Sequence, residues 1–117
     1  MVSIIISGRP NSELASQCII LSELLQKNFP TTHCVIVLKH PEEWEKYSED
    51  ICKLFGFPKQ SHPLIYFSNG EFIGDKDKFV TYVKDNFNLT FESNDKTIYN
   101  LTQENIKKIN EEYNKVN

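Results

Sequence analysis

The sequence predicts an α/β domain whose elements run β-α-β-α-β-β-α, followed by a C-terminal helical extension. Three observations predict it. Two β-branched runs of strand length, residues 2–7 and 34–38, flank one helical pattern. A strand–helix–strand unit of this kind closes right-handed with its strands parallel. Next, the apolar run 64–67, the dipeptide Asn69-Gly70 and the pair Phe72-Ile73 read as a hairpin, because both turn residues tolerate positive φ. Finally, Phe79, Val83 and Phe87 recur at i, i+4, i+8, the spacing of one face of a closing helix.

The elements follow in order. Val2-Ser3-Ile4-Ile5-Ile6-Ser7 is a buried strand by its β-branched content. Gly8-Arg9-Pro10-Asn11-Ser12 turns the chain into a helix, where Asn11 or Ser12 caps and Glu13 favours the positive helix end. Leu14, Cys18, Leu21 and Leu25 form that helix's apolar stripe, which Ile19, Ile20 and Leu24 widen. Asn28-Phe29-Pro30 ends it, and residues 34–38 read as a second buried strand. His40-Pro41 opens the next helix, with proline at a first helical position. Trp44, Tyr47, Ile51, Leu54 and Phe55 give it an apolar side before Gly56-Phe57-Pro58 stops it.

Residues 1–88 therefore form the domain and residues 89–99 a polar connector. Residues 100–117 read as an amphipathic helix with Thr102 as its N-cap. That last helix carries Leu101, Ile106, Ile109, Tyr113 and Val116 at near-helical spacing. Its stripe is thin, so the helix is expected either to pack back on its own domain or to dock on another protein.

Composition narrows the function. The chain has 117 residues and a formal net charge of −3, with a pI of about 5.6. No basic face for nucleic acid is expected. No apolar run approaches the ~20 residues that span a bilayer, and the short run 2–6 lacks the basic flank of a signal peptide. A cytoplasmic protein is expected, so the triplets Asn88-Leu89-Thr90 and Asn100-Leu101-Thr102 read as accidental glycosylation matches. The three cysteines, Cys18, Cys34 and Cys52, form no Cys-x-x-Cys pair, and their spacings of 16 and 18 fit no zinc pattern. They are expected to be free thiols, packed as small hydrophobes. His33, His40 and His62 are scattered and read as surface or turn residues. No Ser-His-Asp arrangement, glycine-rich phosphate loop or metal constellation is visible, so no metal is expected.

The element order, with Pro63 at the start of the third strand and Gly74-Asp75 before the closing helix, resembles the glutaredoxin and thioredoxin-like domains. The resemblance implies a cis His62-Pro63 bond facing the site. A closer one lies in Gly8-Arg9, Leu25-Gln26-Lys27-Asn28-Phe29-Pro30, Pro41-Glu42-Glu43-Trp44-Glu45, Asp50-Ile51-Cys52, His62-Pro63-Leu64-Ile65 and Gln103-Glu104-Asn105-Ile106. These pieces resemble the glutaredoxin-like N-terminal domain of the malate dehydrogenase 1B type proteins, which are associated with motile cilia.

The glutaredoxin Cys-Pro-Tyr-x segment falls on Ser12, Glu13, Leu14 and Ala15, so the nucleophile position holds a serine. Serine is a far weaker acid and forms no disulfide, so no enzyme is expected. The Gly-Gly-x-Asp-Asp glutathione clamp falls on residues 74–78, where only Gly74 and Asp77 remain, with Pro63 opposite. Asp75 places a negative side chain near glutathione's own carboxylate, and no cofactor is expected.

The resemblance implies a redox-inactive structural or assembly module of a ciliary axonemal complex. Such a module acts through contacts with other proteins and engages neither nucleic acid nor membrane. Trp44, Leu101, Ile106, Ile109, Tyr113 and Val116 are its candidate contact residues, with a core anchor as the other role open to Trp44. A glutathione-binding or monothiol redox protein, and a regulatory domain of a dehydrogenase-like partner, are the alternatives.

Overall fold

The computed structural model describes residues 2–58, 60–90 and 93–116, the last without the side chain of Val116. Strand β1 (Ile4–Gly8) leads to helix α1 (Glu13–Asn28), β2 (Cys34–Leu38), α2 (Pro41–Phe55), β3 (Leu64–Phe67), β4 (Phe72–Gly74), α3 (Lys76–Phe87) and α4 (Asp95–Val116). The four strands form one sheet in the order β2-β1-β3-β4. β1 and β2 are parallel, with Ile4 opposite Cys34 and Gly8 opposite Leu38. β1 and β3 are antiparallel, with Ile4 opposite Phe67 and Ser7 opposite Leu64. This is the expected α/β thioredoxin-like order with a C-terminal helix.

Side chains alternate across a strand, and β1 supplies two cores in this way. Ile4 and Ile6 point to one face and pack with Cys18, Leu21 and Leu25 of α1, Ile65 of β3, and Phe79 and Val83 of α3. Ile5 points to the other face, where Trp44 of α2 packs with Leu64 and Tyr66 and is flanked by Tyr47, Ile51 and Phe55. The sheet is thus sandwiched between α1 with α3 and α2.

The turns follow local chemistry. His40 caps α2 through Nδ1, which accepts from the Glu42 amide at 3.1 Å, and Gly56 ends the helix in the left-handed region at φ 69°. Gly70 sits in the hairpin turn at φ 97°, so close to Phe55 that a Cβ would lie 2.9 Å from its ring. Only glycine meets both demands.

Four expectations are corrected. β2 is an edge strand, not a buried one: Val35 is 36% and Ile36 38% exposed. A short apolar run cannot reveal whether a second strand lies beyond it. Leu14 leaves the buried stripe of α1 and is 44% exposed, because it faces the surface beside His62 and Asp75 while its neighbours Ala15 and Ser16 turn inward. The final helix begins at Asp95, five residues before the expected start, and the connector is correspondingly shorter. Its cap is Asn94, whose Oδ1 accepts from the Thr97 amide at 2.8 Å, so Thr102 lies inside the helix and is no cap.

The inward face of α4 is also shifted. Ile98, Thr102, Asn105 and Ile109 are buried, whereas Leu101, Ile106 and Tyr113 are half-buried. Val116's side chain lies outside the described residues. The helix packs on α1 of its own domain. The seam is partly polar: Thr102 donates to the Ile98 carbonyl at 2.7 Å and lies 2.7 Å from the Ser16 hydroxyl. The Thr102 proton goes to Ile98, and the Ser16 hydroxyl, with one proton of its own, lies within reach of both Thr102 and the Ser12 carbonyl at 3.3 Å. At the far end Tyr113 stacks on His40 at 3.9 Å and donates to Glu42 at 2.8 Å.

Neither core contains a residue of α4. Removing residues 95–117 is therefore expected to leave a single cooperative urea transition at a lower midpoint. Lost burial of Ile98 and Ile109 bounds the cost at roughly 3–6 kcal/mol, at ~1.5–3 kcal/mol per side chain. A truncated chain that unfolds without a cooperative transition would place α4 in the core.

Candidate functional site

Three elements meet where β1 ends. Gly8 closes the strand, α1 begins after a four-residue turn, and the cis bond His62-Pro63 precedes β3. The approach is close. A Cβ on Gly8 would lie 3.0 Å from that of Ala15 and 3.5 Å from that of Pro63. The serine at Ser7 ties the same corner together by donating to the Leu64 carbonyl at 2.7 Å.

Ser12 occupies the N-cap of α1. Its hydroxyl accepts from the Ala15 amide at 3.1 Å, satisfying one of the helix's unpaired N–H groups. Glu13 is exposed in the first turn. The helix end that would stabilise a thiolate is therefore closed by a neutral hydroxyl. Cys18 lies further along α1 at 1% exposure, and burial pushes its thiol up to about 12. Cys34 is pushed up to about 11 by the same cause, and burial also raises Cys52. Burial thus raises all three thiols above the ordinary cysteine range.

His62 is brought into this corner, which its scattered place in the sequence did not signal. Its Nε2 accepts from the Arg9 amide at 3.3 Å and from Arg9 Nε at 3.1 Å. An acceptor at Nε2 means the ring's proton sits on Nδ1. Burial, and then the adjacent guanidinium, push the ring down to about 4. Trp44 meets it edge-on at 5.2 Å. With 7% exposure, Trp44 stands in the position of a core anchor that props His62.

The clamp remnants sit beside this corner. Asp75 caps α3, accepting from the Lys78 amide at 3.1 Å, so its carboxylate is engaged by the helix. Asp77 is exposed and lies 3.7 Å from Lys76. Leu14, His62, Asp75, Lys76 and Asp77 line a cavity of about 80 Å³. Sites for small molecules enclose about 300–1,000 Å³. Asp75 and Asp77 bring two carboxylates to this cavity against the one ammonium of Lys76. Among the described residues no group of three metal-ligating side chains occurs, and no helix is long and apolar enough to cross a membrane.

Fold and corner together define a thioredoxin-like domain whose redox position holds a helix-capping serine. Comparison with known sequences places it more narrowly. The chain belongs to the family described as "Putative malate dehydrogenase 1B N-terminal domain", which it matches over residues 3–117. It is 22% identical over 112 residues to the Bos taurus protein titled "Putative malate dehydrogenase 1B", covering 91% of this chain and 24% of that protein. It is 21% identical to the Homo sapiens protein of the same title, covering 91% and 22%, and 22% identical to that of Branchiostoma floridae, with the same coverage. The chain thus spans about a quarter of the length of these curated relatives.

The His62 environment has a pH signature. The unfolded ring takes up its proton near 6.5 and the folded ring only near 4. Between these values the unfolded state binds more protons, so this contribution is fully present above 6.5 and is lost as pH falls towards 4. His62→Gln is expected to flatten the dependence of the urea midpoint between pH 6.5 and 5. An unchanged slope would mean that the folded ring takes up its proton as readily as the unfolded one.

Proposed function

We propose that this chain is a redox-inactive thioredoxin-fold module that works through contacts with other proteins. The observation that carries the reading is Ser12, whose hydroxyl caps α1 where a nucleophilic thiol would stand. The buried Cys18, its thiol pushed up to about 12, offers no substitute. The small, doubly carboxylate-lined cavity beside it argues against glutathione as a ligand.

The wild-type protein is expected to give no turnover above a no-protein control in a glutathione-coupled assay with hydroxyethyl disulfide. Ser12→Cys, which restores a thiol at the helix end, serves as the positive arm. Wild-type turnover that disappears on mutating Cys18 would overturn the reading.

Its membership of the malate dehydrogenase 1B N-terminal family, in proteins about four times its length, favours a second role for the same module. There it would position or regulate a dehydrogenase-like unit. The resemblance of its sequence pieces to cilium-associated proteins supports an axonemal setting. A fluorescently tagged chain is expected to enter the axoneme of motile ciliated cells and to resist detergent extraction there. A diffuse cytoplasmic signal removed by detergent would exclude that setting.

A further inference from the structure

Resting on the reading of the chain as a contact module, we propose that the open edge of β2 and helix α4 form a receptor for an extended, basic peptide segment of a partner protein. The segment adds to the sheet as a fifth strand beside β2.

The backbone supplies the first part of the case. In the parallel pair, the Ile4 amide donates to the His33 carbonyl and the Lys39 amide to the Gly8 carbonyl. The N–H and C=O of one strand residue point to the same side, so residues 33, 35, 37 and 39 face β1. Residues 34, 36 and 38 then face outward. The Cys34 amide is taken by Gln26 Oε1 at 3.0 Å. The Cys34 carbonyl and both backbone groups of Ile36 and Leu38 have no hydrogen-bond partner among the described residues. An extended peptide satisfies such a row of donors and acceptors. A docked helix, which bonds its own backbone, would leave them unused.

Side chains supply the floor. Cys34 packs into the α1 core, so Ile36 and Leu38 project to that same face, where α4 runs past the strand. Ile36, Leu38, Lys108, Ile109 and Glu112 line a cavity of about 320 Å³ there. A second cavity of about 200 Å³ continues it, sharing Leu38, Ile109 and Glu112 and ending at His40, Glu43 and Tyr113. An alternating strand would lower one apolar side chain onto Ile36 and Ile109 and the next toward the second cavity.

Charge selects the occupant. Glu43 of α2 and Glu112 of α4 both line the second cavity, and neither forms an ion pair among the described residues. Lys39 lines it too, but its ammonium lies 5.3 Å from the Tyr47 ring centroid, and Lys108, one turn before Glu112 on the floor of the first cavity, forms no ion pair with it among the described residues. A lysine or arginine on the incoming strand answers both carboxylates. A second copy of this chain does not: pairing two β2 edges adds no basic side chain from the β2 strand to Glu43 and Glu112 and brings two α4 helices to one notch.

The test uses the full chain and a phage-displayed library of random nine-residue peptides. Selected peptides are expected to alternate apolar and polar residues with a basic residue at one end, and to slow amide hydrogen exchange at Ile36 and Leu38. Two variants check the geometry. Ile36→Pro removes an outward N–H that an edge strand can spare. Glu43→Lys combined with Glu112→Lys reverses charge on two exposed helix positions. Each is expected to weaken binding about tenfold or more, the scale of a lost charge-assisted bond.

The proposal fails if no selected peptide protects those amides, or if binding survives in both variants. It also fails if the peptide-free protein shows concentration-dependent protection there, which would identify a second copy as the occupant. Failure here leaves the redox assay's outcome untouched, and turnover in that assay would overturn the broader reading whatever binds at β2.

Discussion

Helix α1 has to bury a broad face from Ala15 to Leu25, and the rest of the structure is arranged around that constraint. It packs on β1 and β2 beneath it, on α3 along one side and on α4 along the other. Small residues make this possible. Ala15, Ser16, Cys18 and Ser22 are all buried, and each lets a neighbour approach the helix backbone. Ser22 returns its hydroxyl proton to the Ile19 carbonyl at 2.6 Å, so its burial leaves no unpaired donor. A bulky residue at Ala15 would drive the helix from Gly8 and Pro63, since a Cβ on Gly8 already lies 3.0 Å from Ala15. The same close contact fixes the helix N-terminus in the corner where thioredoxin-like proteins do their chemistry.

Much of this could be read from the chain itself. The β-branched runs at Ile4-Ile5-Ile6 and Cys34-Val35-Ile36-Val37-Leu38, the Asn69-Gly70 turn and the Pro41 helix start are local signals, and each produced the element expected of it. What escaped sequence reading depends on distant pairing. Nothing in the apolar run 34–38 says that only one side of β2 has a neighbour. Nothing local joins Arg9 to His62, which meet only because Pro63 delivers β3 beside β1. The phase of α4 was misjudged because Leu101 and Ile106 are more apolar than Thr102 and Asn105. Yet the last two face inward. Thr102 can be buried because its hydroxyl closes back on the Ile98 carbonyl, a satisfaction that hydropathy does not register.

A corner built for a thiolate but lacking the thiol still carries structural value. Ser12 as a cap contributes on the order of 1 kcal/mol to α1, a gain that a reactive cysteine would compromise. Arg9, with two donors on one ring nitrogen, holds His62 neutral against Trp44. Ser12, Arg9 and His62 are thus engaged with the helix end and with one another, and those contacts hold the corner together.

The opposite side of the sheet is built differently. At the corner Ser12, Arg9, His62 and Asp75 each have a partner, whereas the β2 edge leaves both backbone groups of Ile36 and Leu38 unpaired among the described residues. Soluble proteins usually blunt such an edge with a bulge, a proline or an inward-pointing charge. Here Cys34-Val35-Ile36-Val37-Leu38 has none of these, and only Gln26 covers one amide. The flanking helix is no substitute, because a helix side chain cannot satisfy a row of main-chain groups. α4 instead lies beside the edge and adds Ile109 and Glu112 to it. An uncovered edge with an apolar floor and unpaired carboxylates at one end carries an aggregation cost. On the reading proposed above, a matching strand in place removes that cost.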